Sequence, residues 1–417
     1  MLTQNYLFAC AAPSSSRKST TGRRSSDKAY RGIGHIRQRR HRNSIGRYLS
    51  EHGATGSTDT ALDMLGMGRS SRPPFVIHAK DPNGKISEAE NFFVDALEEW
   101  RKQRNIDKFT LIGHSLGGYL AVVYALRYPG HLNKLILASP VGIPEDPYAV
   151  NADMPDPKDP NVVEEFRQDQ EELVNSADPT LPTTDNNNFL NARSKAEKHG
   201  ANGKEPQNGS GPPARRPVPK LLTYLWESNL SPFSLVRWAG PLGPRLVSGW
   251  TSRRFAHLPP NEAQALHDYS YSLFRLRGSG EFALTYILAP GAFARNPLIH
   301  RIQGVGRQPI PASQNGAQQS SQEPTSSEKK ENGIPIVLMY GEHDWMDVAG
   351  GYAAEQKIRK EKEKALQNAS DEEKKADGGS AKVVIIKKAG HHVYLDGWEE
   401  FNSIVRDEMD DVTRNKR

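Results

Sequence analysis

The sequence predicts an α/β fold: a mostly parallel sheet covered by helices on both faces, with a large helical cap inserted between strands. Three observations carry this. Short apolar runs of buried-strand type recur at residues 109–112, 134–138, 336–340 and 383–387. Helical patterns over 88–100, 118–128 and 398–409 alternate with them, which is the arrangement of a parallel sheet with both faces covered. Residues 145–302 break that alternation with helix and loop patterns and read as a cap.

Taken in order, residues 1–59 are a basic segment, expected to be disordered or a targeting sequence. Of the net charge of +6 over 417 residues, residues 1–50 contribute +10 and the remainder sums to −4. The basic balance therefore belongs to the N-terminal segment. With no nucleic-acid module in view, it is not the footprint of a nucleic-acid partner. An Arg- and Ser-rich, acid-poor composition suits a mitochondrial address, with cytoplasm or a lipid-droplet surface as alternatives. No strand pattern is read in 1–59, so the sheet is expected to begin near Thr60 and to be N-terminally truncated. Residues 60–144 form the first part of the core. Residues 145–332 form the cap, with low-complexity inserts at 184–218 and 303–332. Residues 333–417 form the second part of the core, with a charged insert at 355–381 that can begin as an exposed helix. These stretches account for the low apolar fraction of 36% and the mean hydropathy of −0.69. Cys10 is the only cysteine, so no internal disulfide forms. No window of about 18 consecutive apolar residues is available to span a bilayer.

The chemistry concentrates at three strand ends. The run at 109–112 leads into Gly113-His114-Ser115-Leu116-Gly117 and a helix, the G-x-S-x-G turn in the context it requires. Ser115 is the candidate nucleophile. The glycines on either side remove Cβ atoms that would clash in so sharp a turn. The backbone N–H of Leu116, at the new helix N-terminus, is the candidate oxyanion donor. A serine hydroxyl needs a base. His391 follows the last apolar run in Ala389-Gly390-His391-His392, with His392 as its competitor. The acid that orients the base is expected after the preceding strand, in Gly341-Glu342-His343-Asp344. Asp344 is the candidate and Asp347 its competitor. The order Ser, Asp, His is the one this turn motif accompanies. Asp63, which opens Asp63-Met-Leu-Gly-Met-Gly-Arg-Ser-Ser71, reads as structural. No metal or other cofactor is expected.

These motifs, with residues 132–148, 225–254, 275–302, 341–350 and 389–396, resemble one branch of the α/β-hydrolases. That branch includes the fungal mitochondrial cardiolipin-specific deacylase, the N-acyl-phosphatidylethanolamine phospholipase and the lipid-droplet lipase co-activator. The resemblance implies a serine carboxylic ester hydrolase deacylating membrane phospholipids, cardiolipin first among them, with its triad on Ser115, Asp344 and His391. It also implies an H-x4-D acyltransferase-type motif on His391 and Asp396. Members of the branch carry further strands and a His-Gly oxyanion loop upstream of Asp63. Here His52-Gly53 has no apolar strand leading into it. The alternatives are a lysophospholipid acyltransferase, a soluble carboxylesterase, and a non-catalytic lipid-surface scaffold or lipase co-activator. Ser115 speaks against the last, because the co-activator lacks the serine. Within the cap, Trp238 and Trp250 alternate with Arg237, Arg245, Arg253 and Arg254. Aromatic rings suit a bilayer interface and guanidinium groups suit lipid phosphate. These six are the lipid-binding candidates, and membrane contact is expected to be peripheral, at the mitochondrial inner membrane.

Overall fold

A computed structural model describes residues 6–11, 38–39, 58–145, 226, 228–229, 231–254, 260–289, 292–311 and 330–414. Side chains are described from Thr60 onward, except at 232, 249–250, 252–263 and 266. The chain divides into two compact units. One comprises Tyr148–Gly278 and Pro290–Ala292; the other comprises Leu2–Pro147, Ser279–Ala289 and Phe293–Arg417.

The second unit carries a seven-stranded sheet. Its strands are β1 (Tyr6–Ala11), β2 (Gln38–Arg39), β3 (Thr58–Asp63), β4 (Phe109–His114), β5 (Leu132–Ala138), β6 (Pro335–Gly341) and β7 (Ser380–Ile386), in the order β2-β3-β1-β4-β5-β6-β7. From β4 to β7 every pairing is parallel, so the C-terminal ends of β4, β6 and β7 share one edge of the sheet. The central strands β4, β5 and β6 are almost wholly buried, as expected where helices cover both faces. The helices of this unit are α1 (Pro82–Gln103) and α2 (Leu116–Arg127), followed after the cap by α6 (Leu284–Ile287), α7 (Val348–Leu366), α8 (Asp371–Ala376), α9 (Val393–Asp396) and α10 (Trp398–Arg414). The cap unit holds α3 (Pro232–Trp238), α4 (Gly243–Arg254) and α5 (Pro260–Phe274), packed around Val247, Leu273 and Phe274.

Helix α1 starts earlier than the hydrophobic pattern predicts. Asp81 accepts the Gly84 N–H and Pro82 fills the first turn, a combination that nucleates a helix ahead of its apolar stripe. Two polar networks then tie α1 to α2 and the sheet to α10. Tyr119 of α2 donates to Glu90 of α1 at 2.6 Å, and Arg301 bonds both at 2.6 Å. Lys134, buried on β5, meets Glu408 at 2.6 Å and Asp411 at 2.7 Å on α10.

Four expectations are corrected. Residues 1–59 are not strandless: β1 lies between β3 and β4, antiparallel to both, and β2 borders β3. The run Tyr-Leu-Phe-Ala-Cys-Ala is short and apolar, and the arginines around it mask it in any compositional average. The sheet therefore does not begin at Thr60. The charged insert at 355–381 is mostly helical. Ala354 and Ile358 bury one face of α7, and α8 opens on a capping box formed by Ser370 and Glu373. The insert expected at 303–332 narrows, since 303–311 and 330–332 are joined by the Gln308 carbonyl accepting the Glu331 N–H at 3.0 Å. Finally, the cap unit does not run on to 332: it comprises Tyr148–Gly278 and Pro290–Ala292. Residues 298–302 dock on the core through Leu298 N–H to Gly142 O and Ile299 N–H to Ile143 O, at 2.8 and 2.9 Å. The insert at 184–218 and His52-Gly53 lie outside the described residues.

Candidate active site

The turn between β4 and α2 places Ser115 at φ 53°, ψ −118°, a conformation that a residue with a side chain holds only when its surroundings impose it. They do so here. The Ser115 N–H donates to Ala138 O at 3.0 Å, and its carbonyl accepts the N–H groups of Gly118, Tyr119 and Val141. A Cβ at Gly113 would lie 2.3 Å from the Gly117 carbonyl oxygen, so glycine is required there. Serine at a helix N-cap usually spends its hydroxyl on the helix. Ser115 does not: it makes no side-chain cap bond, and its Oγ is buried without a hydrogen-bond partner. Leu116 is the first residue of α2, where N–H groups have no intrahelical acceptor.

Asp344 follows β6. Its Oδ1 lies 3.1 Å from Nδ1 of His391, and it also accepts the Met346 N–H at 3.0 Å. Both side chains are buried, Asp344 completely. Burial pushes the Asp344 carboxyl up, but the His391 hydrogen bond, the attraction to His391 and the Met346 N–H outweigh it and hold the group below the ordinary carboxylate range. With Nδ1 held by Asp344, the other ring nitrogen of His391, Nε2, is buried and has no partner. The structure thus brings Ser115, Asp344 and His391 to one edge of the sheet. The competitors stand close by but make other contacts, the His392 ring lying 5.5 Å from that of His391. Asp347 caps α7 by accepting the Ala349 N–H at 3.0 Å, and His392 supplies the N-cap backbone of α9. Asp63 closes its own loop by accepting the Arg69 N–H at 3.0 Å, as a structural residue does.

Several neighbours were not singled out from the sequence. His114 Nε2 donates to the His391 carbonyl at 2.9 Å, and the two rings lie 4.7 Å apart. The Trp345 ring stands 4.8 Å from His391. Burial and the Asp344 and Asp347 carboxylates push the Tyr340 hydroxyl up, which keeps it protonated beneath the site. Only the adjacency of His114 to Ser115 and of Trp345 to Asp344 in sequence hinted at these positions. Asp396 accepts the Gly390 N–H at 3.1 Å. A separate crevice of ≈ 520 Å³, lined by Arg307, Ile334, Lys362 and Ser380 among others, opens at the opposite ends of β6 and β7 and includes none of these residues. Among the described residues no cluster of His, Cys, Asp and Glu has the makings of a metal site, and no helix is long and apolar enough to cross a membrane.

Of the cap candidates, Arg237 is turned inward. Its guanidinium bonds Ser234 Oγ at 2.8 Å and the Leu276 carbonyl at 3.3 Å. Trp238 and Arg245 are exposed. The side chains of Trp250, Arg253 and Arg254 lie outside the described residues.

A family model described as alpha/beta hydrolase fold matches residues 32–397. The chain belongs to the alpha/beta hydrolase fold family. This α/β-hydrolase is 30% identical over 351 residues to the 1-acylglycerol-3-phosphate O-acyltransferase of Arabidopsis thaliana, covering 83% of this chain and 58% of the relative. It is 25% identical over 334 residues to a 1-acylglycerol-3-phosphate O-acyltransferase of Saccharomyces cerevisiae, covering 80% and 62%. It is 27% identical over 354 residues to the human (lyso)-N-acylphosphatidylethanolamine lipase, covering 84% and 71%. The α/β-hydrolase thus spans about three-fifths of the length of the two acyltransferases it matches. The relatives fall in the lipid-acting branch that the sequence motifs resemble.

Proposed function

We propose that this α/β-hydrolase is a serine carboxylic ester hydrolase that removes acyl chains from membrane phospholipids, with cardiolipin as the favoured substrate. One observation carries the reading: Ser115 Oγ and His391 Nε2 are both buried and both without a partner, while Asp344 anchors the far side of the imidazole. Buried polar atoms are almost always satisfied, and the exceptions concentrate where chemistry is done.

In this mechanism His391 Nε2 takes the Ser115 proton as Oγ attacks the ester carbonyl carbon. Asp344 stabilises the imidazolium so formed. The Leu116 N–H donates to the developing oxyanion. His391 then returns the proton to the departing lysophospholipid oxygen, leaving an acyl-serine. Water, deprotonated by the same imidazole, releases the fatty acid and restores Ser115.

The lipid assignment draws on the similarity to 1-acylglycerol-3-phosphate O-acyltransferases and to a (lyso)-N-acylphosphatidylethanolamine lipase. It also draws on the cap. Leu235, Trp238, Leu242 and Leu246 are each more than half exposed within twelve residues of α3, α4 and the turn between them, with Arg245 exposed beside them. Such a set enters the interface of a bilayer without crossing it. Membrane contact is peripheral, at the mitochondrial inner membrane surface. A second reading is favoured by the acyltransferase names: the same acyl-serine passes its chain to a lysophospholipid instead of to water.

Fluorophosphonate labelling tests the nucleophile. The wild-type chain is expected to label and Ser115→Ala not to; equal labelling of the two would overturn the assignment. Fatty acid release from cardiolipin vesicles, measured with and without added lysophospholipid, separates hydrolysis from transfer.

A further inference from the structure

The loop between β7 and α9 delivers His391, and its backbone is held in an unusual way. Three of its N–H groups end on carboxylates rather than on other backbone groups. Lys387 N–H donates to Glu400 at 2.9 Å, Lys388 N–H to Glu342 at 2.9 Å, and Gly390 N–H to Asp396 at 3.1 Å. Lys388 sits at φ 56°, a conformation that side-chain-bearing residues adopt sparingly. The loop therefore depends on these external acceptors for its shape.

Asp396 is the one that brackets the histidine. Its carboxylate accepts the N–H of Gly390, and its own N–H donates to the carbonyl of His392 at 3.1 Å. The carboxylate thus holds the backbone immediately before His391, and the α9 turn that carries it starts immediately after, where the Leu395 N–H also donates to His392 O at 2.7 Å. The single turn of α9 is what brings the carboxylate back. The five-residue step from His391 to Asp396 is the spacing this closure needs. The space is also filled: a Cβ at Gly390 would stand 3.3 Å from Asp396 Oδ2. Across the loop, the His343 N–H donates to Ala389 O at 2.9 Å, and Glu342 takes the Lys388 N–H. The segment that presents Asp344 and the segment that presents His391 are therefore joined as one piece.

We infer that Asp396 is a positioning residue that acts through His391, and that it takes no part in the proton transfers or in acceptor binding. The H-x4-D spacing then records loop closure and does not by itself mark an acyltransferase. The inference rests on the reading of Ser115 and His391 as nucleophile and base.

The geometry calls for an acceptor of one N–H at a fixed place, not for a charge. The test compares Asp396→Ala, Asp396→Asn and Asp396→Glu in the full chain. Four quantities are measured: the rate of fluorophosphonate labelling, kcat and KM on a soluble nitrophenyl ester, and the partition of the acyl-enzyme between water and added glycerol. Asp396→Ala is expected to lower labelling and kcat together by about tenfold or more, with KM and the partition ratio unchanged. Asp396→Asn, whose amide oxygen accepts the same N–H, keeps at least a third of both. Asp396→Glu keeps the charge but overreaches, and falls below the Asn variant. The ranking of Asn above Glu holds the test open even if the alanine variant does not fold. The inference is overturned if Asn is as slow as Ala, if Glu outperforms Asn, if Ala labels at the wild-type rate, or if the partition ratio shifts in these variants. Labelling of Ser115→Ala at the wild-type rate would instead sink the nucleophile assignment itself, an outcome distinguishable from all of these.

Discussion

Replacing Asp344 by Asn is the sharpest test of how the site operates, because it changes charge while keeping shape. In the wild-type chain the carboxylate is fully buried and meets His391 Nδ1 at 3.1 Å. When His391 takes the Ser115 proton, opposite charges form about 4 Å apart, worth ~4 kcal/mol at the effective dielectric of a protein site. Losing this attraction slows proton uptake by roughly 10³-fold at 1.36 kcal/mol per decade. The asparagine amide also disfavours the tautomer with its proton on Nδ1, which brings the expected loss toward ~10⁴-fold. Oδ1 serves both the Met346 N–H and His391 Nδ1, so the amide orientation that disfavours the Nδ1–H tautomer also gives up the Met346 bond; the side chain keeps its size and burial, and the fold is expected to persist. The assay is kcat on a soluble nitrophenyl ester together with the rate of fluorophosphonate labelling, with KM expected to change little. Retention of more than a tenth of wild-type kcat would refute the reasoning, as would an equal loss in Asp347→Asn. The pH profile adds a check of sign. Asp344 is held below the ordinary carboxylate range, so its contribution to stability is present above the unfolded value near ~3.9. It is lost only as pH falls through the lower folded value. Activity that disappears between pH 8 and 5 is therefore not lost through Asp344.

The double variant Ser115→Ala/His391→Ala is expected to be little worse than Ser115→Ala in kcat, because groups that act as one unit lose activity non-additively. On the cap, changing Leu235, Trp238, Leu242 and Leu246 to Ser is expected to abolish binding to phospholipid vesicles in a flotation assay. Hydrolysis of a soluble ester should stay within twofold, and an equal loss of both would assign these residues to the fold. Arg245→Gln is expected to weaken binding to anionic vesicles only, by about 1 kcal/mol, with the difference vanishing in high salt. Residues 6–11 are expected to exchange their amide protons slowly, and deleting them should produce aggregates on size-exclusion chromatography, because β3 and β4 would each gain a bare edge. Rapid exchange throughout 6–11 would refute the interior placement of β1.

The parts of the fold that repeat a physical period were legible. The parallel strands β4 to β7 stood out as apolar runs, because both faces of each central strand are buried and few polar residues, such as Thr110 and Lys134, interrupt them. Helix α10 ran five residues beyond its predicted end, to Arg414, since Asp and Glu residues hid its continuing stripe. The positions of Ser115, Asp344 and His391 were readable because each follows a strand end in a short motif. What stayed hidden depends on contacts across loops. That Asp396 reaches Gly390, or that His114 supports the His391 carbonyl, leaves no periodic trace in the chain. β1 was missed for a different reason: six apolar residues flanked by a long basic stretch are diluted by any window wide enough to judge composition. The exposed leucines of the cap were likewise invisible, because a leucine reads as core until its neighbours are known.

The placement of β1 also has a temporal side. Its two neighbours lie far along the chain, β3 beginning at Thr58 and β4 at Phe109. During synthesis at about 5–20 residues per second, β4 emerges roughly 5–20 s after β1. Until β3 follows, the apolar run Tyr6–Ala11 has no strand to dock on, and until β4 follows, one of its edges stays unpaired. Pairings so distant in sequence form slowly. The nascent chain therefore carries an apolar segment with an open edge until β4 is synthesised, and a pause or premature stop before Phe109 would release a fragment with that edge uncovered.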